Sequence, residues 1–309
     1  MLNIKPRTLD IYKSDIRLHI KPLLGAIRLD MLDAPTIQGA YINLLRPSEK
    51  HPKGFSPKTI KNVHRVLHKA LQQAVLIGYI RFNPADTCIL PRVEKAKVTP
   101  CDDAQISPFI KEVRGNRFET LFVVTLFTGV REGEILGLTW DCVDFDNGIL
   151  TINKQMQLHQ DKDMKAYQLV STKNSKARTI ITAAPFVMER LKHRKVEQTK
   201  ERLLAGPLWQ QSGLVFTDAT GNHITKPTLY RAFKKAAASI GRPDARFHDL
   251  RHSYAVAALR SGDDIKTVQG NLGHATAAFT LDVYGHVTDQ MKQDSESRME
   301  QFIKTVSGS

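Results

Sequence analysis

The sequence predicts a mainly α-helical protein in two domains, the first wholly helical and the second an α+β domain with a small antiparallel sheet. Three observations lead there. Apolar residues recur at three- and four-residue steps through most of the chain, the period shortens between residues 149 and 180, and the stretch from Cys88 to Pro100 has neither period. At 309 residues, with 41% hydrophobic and 25% charged, the chain is long enough for two cores.

In the first domain the spacing predicts helices over residues 8–20, 34–45 and 57–77. Asp33 with Pro35 just beyond it, and Ser56 with Pro57 at the first helical position, supply helix-entry chemistry. On the third helix Ile60, Val63, Leu67, Leu71, Ala74 and Val75 form the apolar stripe. Lys58, Lys61, His64, Arg65, His68 and Lys69 fall between and would form an outer face, either lying against DNA or simply solvated. The segment from about residue 87, with two prolines and the run Glu94-Lys95-Ala96-Lys97, reads as a linker, so the domains are expected at 1–97 and 98–309.

Past the linker, Asp102-Asp103 opens a helix and an apolar helix covers 117–128. Gly129 breaks it, and a further helix runs from Arg131 to Gly137. Ile149-Leu150-Thr151-Ile152 reads as a strand, and the arms around Thr172 to Thr179 as a hairpin with its tip at Asn174-Ser175. Helical spacing resumes over 185–203 and 227–240, and from 248 almost to the end. Met291, Met299, Phe302, Ile303 and Val306 make the last stretch amphipathic.

Charge narrows the partner. The net charge is +14 and the pI near 9.7. Residues 1–97 hold 17 Lys and Arg against 7 Asp and Glu, whereas the rest hold 28 against 24, so the electrostatic grip on a polyanion is expected in the first third. Nucleic acid is the leading polyanion. Three cysteines, Cys88, Cys101 and Cys142, fit no disulfide framework and no metal-ligand spacing, which suits a reducing, cytoplasmic compartment. No apolar run approaches the roughly 20 residues of a membrane span, and Met1 to Pro6 lacks the apolar segment of a signal peptide.

The chemistry-bearing residues lie in a few short segments. His248, Arg251 and His252 are three and four positions apart and share one side of a helix, where imidazoles and a guanidinium can converge on an anion such as phosphate. Arg131 stands at a helix start after the glycine break in Thr128-Gly129-Val130-Arg131-Glu132-Gly133-Glu134, a position where free backbone N–H groups also favour an anion. Taken alone, Arg131 would be read as an ordinary surface arginine paired with Glu134.

These segments together resemble the tyrosine recombinase (phage integrase) family, its conjugative-transposon and lambda-type integrases most of all, over most of residues 5–305. The resemblance rests on a Thr-Gly-x-Arg-x-x-Glu segment at 128–134, a Thr-Lys pair at Thr172-Lys173 ahead of Arg178-Thr179-Ile180, and a His-x-x-Arg-His segment at 248–252. A Leu-Gly-His segment at 272–274 completes it, ten residues before Tyr284.

The resemblance implies a helical core-binding domain followed by a catalytic domain, closing as a clamp around DNA, with a C-terminal exchange helix at about 288–306. It implies a site-specific recombinase that integrates and excises a mobile element through a 3′-phosphotyrosyl intermediate. Tyr284 would be the nucleophile, Arg131 and Arg251 the phosphate clamp, Lys173 the acid for the leaving 5′-oxygen, His248 the base and His274 a phosphate donor. Lys176 shares the hairpin, and the Thr-Lys context selects Lys173. His252 and His286 would be supports.

No cofactor is expected, because the phosphotyrosyl bond conserves the energy of the broken one. The implied partners are double-stranded DNA at recombination sites, three further copies in a tetramer joined by the exchange helix, and a DNA-bending accessory protein. Integrases of these types carry a further arm-binding domain before the core-binding one, so the sequence reads as a truncated form.

Rival readings are weaker. His248-Asp249-Leu250-Arg251-His252 departs from the His-Glu-x-x-His zinc motif at its acid and would set Arg251 beside the cation. A metal-dependent nuclease would need clustered carboxylates, and Asp144 with Asp146 or Asp161 with Asp163 sit in turn-like segments. The alternative from another class is a catalytically inactive DNA-binding architectural protein, which would use the charge and the helices but not the tyrosine.

Overall fold

The computed structural model describes residues 6–94, 99–160, 165–171, 178–180, 183–273, 299–300 and 302–307. Two compact units divide the chain, one mainly residues 1–96 and the other mainly 97–309.

The first unit is helical. Helix α1 (Pro6–Asp15) runs through a π-helical turn (Ile16–Ile20) into α2 (Lys21–Leu24), so the expected 8–20 helix starts two residues earlier, ends four later and is wider over Ile16–Ile20. Helices α3 (Ala34–Leu45) and α4 (Pro57–Leu76) start where their caps predict. Asp33 accepts a hydrogen bond from the Thr36 N–H and Ser56 from the Thr59 N–H, satisfying donors that a helix start leaves open. Ile37, Tyr41, Ile60, Val63 and Leu67 meet in the core, and Val66 joins the buried face while Val75 stays at its margin. The chain after α4 returns to α3, where the Gln38 side chain exchanges two hydrogen bonds with the Ile89 backbone.

The outer face of α4 is narrower than its sequence suggests. His64 turns inward, its Nδ1 3.0 Å from the Tyr41 hydroxyl, and burial lowers its pKa. His68 Nε2 lies 2.7 Å from Asp86 Oδ1. Lys58 and Arg65 are exposed and Lys61 is half-buried.

In the second unit, α5 (Asp103–Val113) is capped by a reciprocal pair between Asp102 and Gln105, and α6 (Glu119–Thr128) is buried on nearly every side. Gly129 ends α6 at φ +64°, α7 (Glu132–Leu136) follows, then β1 (Val143–Asp144) and β2 (Ile149–Ile152). Two strands that the sequence reading missed come next, β3 (Lys154–Gln160) and β4 (Lys165–Ser171), before β5 (Arg178–Ile180). They correct the expected hairpin. β4 pairs with β3, whereas β5 pairs with β2 in the antiparallel order β1-β2-β5, so the two arms flanking the proposed tip enter different sheets. The tip itself, Asn174-Ser175, lies outside the described residues.

Helices α8 (Pro185–Ala205), α9 (Lys226–Ser239), α10 (Phe247–Arg260) and α11 (Ile265–Leu272) complete the unit. The helical stretch expected from 248 is divided after Arg260, where Gly262 adopts φ +101° and Asp264 caps the next start. Phe109, Phe122, Phe233 and Phe247 stack in the core with centroids 5.7 to 6.2 Å apart, a good separation for edge and tilted ring contacts. Because Phe247 opens α10, this cluster anchors the helix that carries His248 and Arg251. Helix α7 lies against β3 so closely that a Cβ on Gly137 would stand 2.8 Å from the Met156 backbone nitrogen.

Candidate active site

Two arginines from separate helices reach one turn. Arg131 occupies the position before α7, and the Glu134 carboxylate accepts from both its backbone N–H and its guanidinium, each at 2.8 Å. Glu134 is itself buried, so the carboxylate fixes a side chain that remains 41% exposed and available. Arg131 Nη2 then donates to the Gly273 carbonyl at 3.3 Å. Arg251, on α10, is 2% exposed. It donates to the Gly129 carbonyl and to the Leu272 carbonyl. A buried guanidinium needs such acceptors, since leaving it unpaired would cost several kcal/mol.

Gly129 earns its place twice over: its φ is in the left-handed region, and a Cβ there would lie 2.4 Å from Tyr254 Cδ1 and 2.7 Å from Leu272 Cδ2. Any side chain would push apart the junction at which Arg251 is held.

His248 projects at the exposed edge of this junction, and His252 stands one turn later with its ring edge-on at 4.8 Å. The His248 pKa is lowered, first by desolvation and then by the positive charges of Arg251 and Arg131. His252 is driven further, to about 4, by desolvation, with His248 next. Both imidazoles are therefore neutral near pH 7, the state in which an imidazole can accept a proton.

A second charged pair repeats the design. Arg246, before α10, has its N–H and its guanidinium held by Asp249 at 2.8 and 3.0 Å, as Glu134 holds Arg131. The Arg-x-x-Asp spacing that repeats Arg-x-x-Glu was the available signal, and the sequence reading assigned it nothing. Among the described residues no group of three His, Cys, Asp or Glu side chains is placed to hold a metal ion. No described helix is long and apolar enough to cross a membrane.

Of the six catalytic candidates, Arg131, His248 and Arg251 come together here. Lys173, His274 and Tyr284 lie outside the described residues. β5, which follows the Lys173 segment, packs against α11, whose end leads into His274.

Residues 103–291 match the phage integrase family. The chain belongs to the phage integrase family. Members are tyrosine recombinases, and the chain is an enzyme of that type, a site-specific DNA recombinase. A tyrosine recombinase XerC-like protein of Caldanaerobacter subterraneus subsp. tengcongensis is 30% identical over 308 residues, covering 94% of this chain and 77% of the relative. The fold is similar to that of the Tn1549 transposon integrase in complex with transposon right-end DNA, with a TM-score of 0.77 at 22% identity over 97% of this chain and 95% of that one. It is also similar to lambda integrase in a tetramer bound to a Holliday junction, with a TM-score of 0.64 at 17% identity over 92% of this chain and 74% of that one. The mainly helical architecture with small antiparallel sheets is thus the one that the sequence predicts.

Proposed function

We propose that this recombinase integrates and excises a mobile DNA element, with Tyr284 as nucleophile and Arg131 and Arg251 as the phosphate clamp. The observation that carries the reading is the convergence of both guanidinium groups on Leu272-Gly273, the turn directly before His274, which itself stands ten residues before Tyr284. In the reaction the Tyr284 oxygen bonds to the scissile phosphorus as the bond to the 5′-oxygen breaks, giving a 3′-phosphotyrosyl link and a free 5′-hydroxyl. His248, held neutral, takes the phenol proton. Lys173 gives a proton to the departing 5′-oxygen, and His274 donates to a non-bridging oxygen. Arg131 and Arg251 offset the charge that grows on the phosphorane, each contributing on the order of 3 kcal/mol. Religation runs the same steps backwards with a new 5′-hydroxyl.

Residues 1–97 act as the core-binding domain and 98–309 as the catalytic domain of a clamp on duplex DNA. Lys58, Lys61 and Arg65 contribute phosphate contacts from α4. The described end of the chain supports exchange between subunits of a tetramer. Met299, Phe302, Ile303 and Val306 recur at helical spacing and are 48 to 65% exposed, an apolar stripe that suits a neighbouring protomer. Relatives that act on mobile elements, as the Tn1549 integrase does, favour such a role here, with a DNA-bending protein assisting in the cytoplasm.

One experiment tests the reading. A nicked suicide DNA substrate traps a covalent protein–DNA complex that survives denaturant, and Tyr284→Phe abolishes it. Removal of residues 288–309 leaves single-site cleavage but prevents four-subunit assembly. Strand cleavage that persists in Tyr284→Phe, or that stops in EDTA, overturns the assignment.

A further inference from the structure

The turn that both arginines grip is itself held by a polar contact outside the reacting groups. Tyr254, on α10 one turn from Arg251, packs its ring beneath Gly129 and receives a hydrogen bond on its hydroxyl from Asn271 Nδ2 at 2.9 Å. Asn271 is the last residue but one of α11, and the next two carbonyls, of Leu272 and Gly273, are the ones that accept from Arg251 and Arg131. The third acceptor is the carbonyl of Gly129, the residue against which the same tyrosine ring packs.

Other forces locating this turn are modest. Helix α11 has eight residues and meets β5 as well as α10, and its apolar seam with α10 comes from Ala255, Val256, Ala258, Leu259, Val268 and Leu272, four of them no larger than valine, with Tyr254 and Ile265 packed at its edge. A seam of small side chains fixes separation better than it fixes rotation, because few interlocking groups resist sliding. A directional hydrogen bond at the last turn of the helix supplies that missing restraint.

We infer that Tyr254 and Asn271 are positioning residues, whose mutual hydrogen bond sets the Leu272 and Gly273 carbonyls and, through them, the direction in which the two guanidinium groups face the scissile phosphate. This rests on the proposed use of Arg131 and Arg251 as the phosphate clamp. Neither residue touches DNA or the reacting atoms in this account. They act by removing the reorientation that the arginines would otherwise undergo as charge develops, which is the source of strength in a preorganised charge site.

The test compares Tyr254→Phe, Asn271→Leu and the double variant with the parent in single-turnover cleavage at saturating DNA. Both substitutions keep the bulk at the seam, and Tyr254→Phe keeps the ring beneath Gly129. On phosphodiester DNA each single variant is expected to be slower by about tenfold, the effect of one hydrogen bond, and the double variant no slower than either, with DNA affinity unchanged. On DNA with a methylphosphonate at the scissile position, which removes one of the two non-bridging oxygens and its charge, the variants are expected to be slowed clearly less than on phosphodiester DNA.

Unchanged phosphodiester cleavage in the single variants overturns the inference. Equal slowing on both substrates also overturns it, since general loosening of the fold would act regardless of the charge on phosphorus. A parent that forms no covalent complex is a separate result that removes the underlying reading of the clamp.

Discussion

Arg131 and Arg251 are held at one turn by opposite means. Arg131 stays 41% exposed and is steadied by the buried Glu134 carboxylate, whereas Arg251 is enclosed and donates to the Gly129 and Leu272 carbonyls. Their charge also acts on the neighbouring histidines. His252 faces His248, Arg251 and Arg246, all of which lower its pKa, against Asp249, which raises it, and desolvation exceeds each of these. With the folded value near 4 and the unfolded one near 6.5, the unfolded chain binds the extra proton between them. Stability from this group is therefore complete above about pH 6.5 and is lost as pH falls toward 4. Urea unfolding at pH 7 and pH 5 is expected to give a fall of about 2 kcal/mol from His252, absent in His252→Asn. Equal pH dependence in parent and variant would remove His252 as the source.

At the scale of elements, α8 holds the extended chain after it by a buried polar network. Arg194, 3% exposed, donates to both Glu201 oxygens at 2.9 Å and to the Val215 carbonyl at 3.2 Å. Gln198 donates to the Leu214 carbonyl and to Thr217 Oγ1, and accepts from Trp140 Nε1 at 2.7 Å. Leu214 in turn bridges Thr139, just past α7, so the network braces the helix that follows Arg131. Arg194→Ala is expected to lower unfolding stability by about 3 kcal/mol, because the Val215 carbonyl and both Glu201 oxygens lose a donor that is itself buried. Arg190→Ala breaks the more open pair with Glu119 and the contact of the guanidinium over the Phe186 ring and should cost about 1 kcal/mol, so equal urea midpoints for the two variants would count against the network. None of this was legible in the sequence, where Arg194 reads as one more charge on an amphipathic helix and its partners lie up to 23 residues away. The helices themselves were legible, since Asp33, Ser56 and Asp102 announce their starts by local chemistry. β3 and β4 carried a two-residue period in Met156, Leu158 and in Tyr167, Leu169, but two large apolar positions in each run were too few to establish it. Arg131, His248 and Arg251 were readable as a group because their motifs stand in family order. Tyr254 and Asn271 were not, because a contact across 17 residues leaves no spacing to recognise.

Over the whole molecule the charge is unequal, with residues 1–97 carrying an excess of 10 positive charges and the remainder 4. On that distribution we propose that the first unit supplies the general grip on phosphates and the second the chemistry. Helix α4 makes this division testable. With His64 hydrogen-bonded to Tyr41 and His68 to Asp86, the outward-facing basic side chains of α4 are its lysines and Arg65. Every phosphate neutralised by such a side chain releases counterions, so the logarithm of affinity falls against the logarithm of salt with a slope of about −0.9 per contact. Replacing Lys58, Lys61 and Arg65 together by alanine is therefore expected to flatten that slope by two to three, about 0.9 for each lost contact, and to weaken binding to unrelated sequences as much as to the recombination site. The fold should persist, because Lys58 and Arg65 are exposed and neither Lys61 nor these two forms part of the core. Measuring binding in the Tyr284→Phe background keeps the DNA intact while the salt concentration is varied. Parallel lines for parent and triple variant would mean that these side chains are only solvated, and that the first unit grips DNA through another of its basic faces.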